Sequence, residues 1–189
     1  MARFPTLPED THLADVFKAF PAGVIPLLEY HDIILREESP LSVAQRELIA
    51  AFVSGLNACD FCYGAHSIIA ESFGIEPALL EGLMNGIEDA PVDAELKPLL
   101  AYVKKLTQHP SKLTDADAQA VYDAGWSEQA LHDAITVCAL FNLMNRIVEG
   151  HGVVTNDAVR RAQRKRSEKN REQHPSPRFY RDIGRKLGL

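Results

Sequence analysis

Apolar residues recur along this chain at intervals of three and four, and runs of strict alternation are almost absent. That is the period of helices, not of strands. Residues 1–40 read as an irregular arm plus one or two short helices. THLADVFKAF is one candidate, stopped by Pro21, and GVIPLLEYHDIIL shows helical spacing after Pro26. Ser42 with Gln45 three positions on forms a capping box for VAQRELIAAFVSGL. A further helix is expected from about Cys59 to just before Gly74, a suitable residue to follow a helix end. Pro77 opens a short helix, and AELKPLLAYVKKLTQH is another, with Pro98 in its first turn or at a kink. Thr114 and Asp117 cap DADAQAVYDAG, and Ser127 caps the longest apolar helix, EQALHDAITVCALFNLMNRIVEG. The pattern predicts an all-α, single-domain helical bundle of six to eight helices with short connections.

Charge divides the chain. Residues 156–189 hold 11 Lys/Arg against 4 Asp/Glu, a charge of +7, whereas the preceding residues carry −13. We therefore set a helical domain with an N-terminal arm at 1–155 and a basic tail at 156–189. RRAQRKRSEKNR could contact nucleic acid, but the body offers no basic face to extend such a footprint, so docking on an acidic surface is preferred and no nucleic-acid partner is expected. No apolar run approaches the roughly 18–20 residues of a membrane span, and the N-terminus lacks the form of a signal peptide. The expectation is a cytoplasmic protein without a membrane partner. Three cysteines do not make a disulfide framework; in a reducing compartment a Cys-x-x-Cys pair points to redox or metal chemistry.

That pair lies in CDFCYGAH, residues 59–66. On a helix Cys62 falls about 60° from Cys59, and His66 about 40° from Cys62, so all three share a face. A helix N-terminus favours a thiolate, and the first cysteine is expected to be the more exposed. Glu47 sits in the preceding helix among Val43, Ala44, Ala50 and Ala51, apolar neighbours that make an unpaired carboxylate costly. An antiparallel pairing of the two helices would bring Glu47 to His66, forming a relay in which carboxylate orients imidazole and imidazole takes a thiol proton. The rival reading is zinc, with two cysteines, a histidine and Glu47 as ligands. It lacks the second, separated ligand pair usual in structural sites, and no metal or cofactor is expected.

At these residues the chain resembles the alkylhydroperoxidase D-like, carboxymuconolactone decarboxylase-type family, and within it the peroxidase-related branch. The resemblance rests on RELIAAFVSGLNACDFCYGAHSIIAESFG, residues 46–74, with its Glu-x11-Cys-x-x-Cys-x-x-x-His spacing, and on FNLMNRIVEGHG, residues 141–152. It covers roughly residues 15–155. It implies an all-helical fold assembled as a trimer, hexamer or dimer. It implies thiol-dependent hydroperoxidase or disulfide reductase activity in antioxidant defence. Cys62 would attack a small hydroperoxide and become a sulfenic acid, and Cys59 would resolve it as a disulfide. His66 would be the base and Glu47 its partner. A dithiol reductant would regenerate the pair: a lipoyl protein, a thioredoxin-like protein or a small thiol. Phe61 stands where well-studied members carry a second histidine, which shortens the relay. Members that decarboxylate lactones lack the cysteine pair. The alternative is a zinc-stabilised or catalytically silent oligomeric interaction protein.

Asn142, Asn145 and Arg146 lie where one face of the long helix turns polar and are candidates for the substrate pocket or a subunit contact, against plain solvent exposure; Tyr63, beside Cys62, is a candidate hydrogen-bond donor in the pocket, against core packing. Cys138 reads as a core cysteine. Trp126 reads as an apolar staple before the helix cap. His12, His31, His109, His132, His151 and His174 show no metal-ligand spacing and are assigned surface or capping roles.

Overall fold

The computed structural model describes residues 3–173 and 178–189, with side chains omitted for 166–173. Ten α-helices make up the described residues, with a short 3₁₀ turn and no strand. They are α1 Leu13–Ala19, α2 Val24–Arg36, α3 Val43–Leu56, α4 Asp60–Ser72, α5 Pro77–Asn85, α6 Leu96–Gln108, α7 Asp115–Asp123, α8 Glu128–His151, α9 Asp157–Gln173 and α10 Phe179–Lys186. No described helix is long and apolar enough to cross a membrane. His174 lies outside the described residues.

Local signals set the helix starts. Ser42 Oγ accepts from Gln45 N at 3.2 Å while Gln45 Oε1 accepts from Ser42 N, the reciprocal arrangement of a capping box. Thr114 and Asp117 do the same for α7, and Ser127 Oγ accepts from Ala130 N at the start of α8. Pro98 occupies the first turn of α6, where its missing N–H has no intrahelical partner to lose. Gly74, with φ 95°, follows the end of α4 in the left-handed region.

The core is organised around α3, whose residues from Arg46 to Ser54 are all buried. Leu48, Ile49, Ala50 and Val53 are completely inaccessible. A helix apolar on every side needs partners all round, and α4, α8, α6, α5 and α2 supply them. Buried Arg46 ties α3 to the end of α2 by donating to the carbonyls of Ile34 and Glu37, each at 2.9 Å. Its head group thus sits where backbone acceptors replace water.

The count of helices exceeds expectation because the C-terminal segment is helical and packs on the body. α9 lies across α4, and α10 lies on α2. The charge of the tail takes part: Arg164 pairs with Glu71 at 3.3 Å, and Arg181 with Asp32 at 3.2 Å. Asp32 is fully buried and accepts from the backbone N–H groups of Tyr180 (2.7 Å) and Arg181 (3.0 Å), which caps α10 from another helix. Gly184 lets α10 approach closely, since a Cβ there would come within 2.9 Å of Leu28 Cδ1.

Candidate active site

α3 and α4 pair across the turn Asn57–Ala58, which brings Glu47 of one helix to His66 of the other. His66 Nδ1 lies 2.6 Å from Glu47 Oε2. The second carboxylate oxygen lies 2.6 Å from Arg36 Nη2, at the end of α2. Glu47 is wholly buried, and the charge of Arg36 with the hydrogen bonds from His66 and Arg36 outweighs that burial and pulls its pKa down to about 2. It is therefore a carboxylate at neutral pH. A carboxylate on Nδ1 fixes the proton there and leaves Nε2 of a neutral ring as the acceptor. Phe141 packs against the ring at 4.3 Å and 75°, fixing its plane.

Cys59 is the N-cap of α4 and Cys62 lies in its first turn. Both are free thiols. The Cys62 thiol donates to Cys59 sulfur, which lowers the pKa of Cys59; the same bond, with burial, pushes the Cys62 thiol up. The pair thus loses its first proton readily and holds its second. The helix N-terminus alone predicts easier ionisation of both, and the difference comes from the neighbouring sulfur. Glu149 of α8 is within hydrogen-bonding reach of Cys59 and opposes its ionisation. Exposure also runs opposite to expectation. Cys59 is completely buried, while Cys62 retains 4% and faces a cavity.

That cavity has a volume of about 730 Å³. Cys62, His66, Phe61 and Ile69 of α4 form one side. The other walls come from α1, α2, α8, α9 and α10. Phe61 places a phenyl ring in this wall.

Tyr63, Asn142, Asn145 and Arg146 do not line the cavity. Asn57 donates to the side-chain oxygens of Asn142 and Asn145, and Asn145 donates to Ser54 Oγ. These amides clamp the turn between α3 and α4, and Asn145 favours the ionised form of Cys62. Arg146 is exposed and folds back on Asn142. Tyr63 packs against the core beside Gly55. The polar stripe on α8 therefore serves the scaffold of the cysteine turn.

Sequence reasoning passed over Arg36 and His31. Arg36 reads as an ordinary cation at a helix end, yet it is buried against Glu47, with its guanidinium over the rings of Phe73, Phe179 and Tyr180 at 5.3–5.8 Å. His31, assigned a surface or capping role, is 4% exposed and lines the cavity. Its place on the apolar face of α2 was the available signal. His12 is the N-cap of α1, and His151 sits at the end of α8 stacked on Phe4. Trp126 anchors the turn before α8 by donating to the Glu95 carbonyl. Cys138 is buried against Thr107. Among the described residues no group of three or more His, Cys, Asp or Glu side chains is disposed to hold a metal ion.

No family model matches the chain, and no curated protein matches it. Solved structures do. An uncharacterized peroxidase-related protein from Silicibacter sp. TM1040 superposes with a TM-score of 0.70 at 26% identity, covering 77% of this chain and 78% of that one. A peroxidase-related protein with an alkylhydroperoxidase AhpD core, from Ralstonia eutropha JMP134, gives 0.72 at 22% identity over 79% of each chain. A protein of unknown function from Agrobacterium tumefaciens, named as a candidate antioxidant defence protein AhpD, gives 0.64 at 20% identity, covering 75% of this chain and 96% of that one. In its all-helical fold this chain is similar to the AhpD-like, peroxidase-related proteins.

Proposed function

We propose that the chain is a dithiol-dependent hydroperoxidase whose attacking sulfur is Cys62. The observation that carries this reading is the His66–Glu47 pair, with its buried 2.6 Å contact, whose imidazole lines the same cavity as Cys62, the one cysteine of the pair that does so. Accessibility selects Cys62 over Cys59, since a peroxide entering the cavity meets only that sulfur. The shared proton between the sulfurs lets charge reside on either one.

In the proposed cycle the Cys62 thiol passes its proton to His66 and attacks the terminal oxygen of a hydroperoxide. The O–O bond breaks, His66 returns the proton to the departing alkoxide, and an alcohol and a Cys62 sulfenic acid result. Glu47 keeps its negative charge throughout and holds His66 in the productive tautomer. Cys59 then attacks the sulfenic sulfur, its proton leaves with the hydroxyl as water, and a Cys59–Cys62 disulfide forms. An external dithiol reduces that disulfide and is itself oxidised. Assembly into a homo-oligomer belongs to this reading and is tested separately by light scattering.

The test is peroxide consumption with excess dithiothreitol. Cys62→Ser is expected to abolish turnover, and Cys59→Ser, exposed to peroxide after the dithiothreitol is removed, to accumulate a sulfenic acid trapped by dimedone and weighed by mass spectrometry. Undiminished turnover in Cys62→Ser overturns the reading.

A further inference from the structure

The cavity is larger than a peroxide group requires. About 730 Å³ lies within the roughly 300–1,000 Å³ of sites that hold a small organic molecule. Much of its wall comes from the C-terminal helices. Val159, Ala162 and Gln163 of α9 and Phe179, Ile183 and Leu187 of α10 all line it.

One of these is polar. Gln163 is 9% exposed, and its amide oxygen has no hydrogen-bond partner among the described residues. Buried polar atoms are nearly always satisfied, so one without a partner in a side chain that lines a cavity points to a donor arriving with a ligand. The cavity offers a second acceptor. His31 Nδ1 donates to the Leu27 carbonyl at 2.7 Å, so its proton sits there and Nε2 keeps a lone pair. Burial lowers the pKa of His31 to about 4, so the ring is neutral near pH 7.

We propose that the cavity binds an apolar organic molecule with one end at Cys62 and a hydroxyl or N–H group that donates to Gln163. α9 then selects which molecules the site accepts. The inference rests on the hydroperoxidase reading only in placing one end of the ligand at Cys62, and its test needs no turnover.

Binding is measured by calorimetry on the reduced full-length protein. The probes are matched pairs of 1-alkanols and α,ω-diols, from hexanol with 1,6-hexanediol to decanol with 1,10-decanediol. The preference for diol over alkanol is expected to be about five-fold greater, at one length or more, in the wild type than in Gln163→Leu. Gln163→Met, closer in shape, should lose the preference equally and serves if the leucine variant does not fold. Equal preference in wild type and variant at every length overturns the proposal, as does failure of the folded wild type to bind any probe. A protein that keeps the diol preference but consumes no peroxide retains this site and loses the hydroperoxidase reading.

Discussion

Glu47 is a carboxylate without access to water, held between Arg36 and His66 at 2.6 Å each. Removing one member of a buried ion pair leaves the other uncompensated, at about 3–5 kcal/mol. Glu47→Gln should lose stability of that order at pH 7 in urea denaturation. The pH dependence has a definite sign. The folded pKa, about 2, lies below the ordinary 4.5. The stabilisation is therefore fully present above pH 4.5 and lost as pH falls towards 2, and the deficit of the variant should shrink over that interval. The need for a partner was legible in the sequence, because position 47 sits among apolar neighbours. The identity of Arg36 was not. It ends a different helix, and only the packing of α2 on α3 brings it to the carboxylate.

Among the elements, α10 shows how a short polar helix is held. Eight residues would not stay helical in isolation. Asp32 accepts from the first backbone N–H groups of α10 and from Arg181 Nε, and Gly184 allows contact with α2. Asp32→Asn replaces a charged acceptor by a neutral one. Hydrogen bonds to charged groups contribute about 1.5–3 kcal/mol against about 1 for neutral ones. Amide exchange at Tyr180 and Arg181 should therefore accelerate roughly ten-fold, while the amides of α3 exchange as before. Unchanged protection at Tyr180 would mean that Asp32 does not hold the helix. The tail's basic composition signalled an acidic contact, but composition has no period and could not say that the contact is an internal cap. Helices α3, α7 and α8 were far more legible, because a capping residue and the bond it makes lie within three positions of each other.

At the scale of the molecule, the cavity places a titrating group inside the fold. His31 must be neutral to stay buried, with a folded pKa of about 4 against an ordinary 6.5. Its stabilisation is complete above pH 6.5 and is lost as pH falls through 4, since the unfolded chain takes up the proton first. Global stability should decline over this window with a slope approaching about 1.4 kcal/mol per pH unit. His31→Gln should flatten the decline there while leaving the separate loss below pH 4.5. Denaturation at half-unit pH steps distinguishes the two.

The sequence by itself determined what neighbouring residues along the chain decide: helices in place of strands, their caps, and Cys62 and His66 one turn apart on α4, with Cys59 at its start. These follow from the 3.6-residue period and from bonds that close within four positions. Tertiary structure decided what depends on helices distant in sequence meeting. It set Arg36 against Glu47, walled a cavity with the C-terminal helices, and turned Asn142 and Asn145 to the cysteine turn. It also decided how the two sulfurs share a proton, because burial and the neighbouring sulfur exist only once the helices have packed.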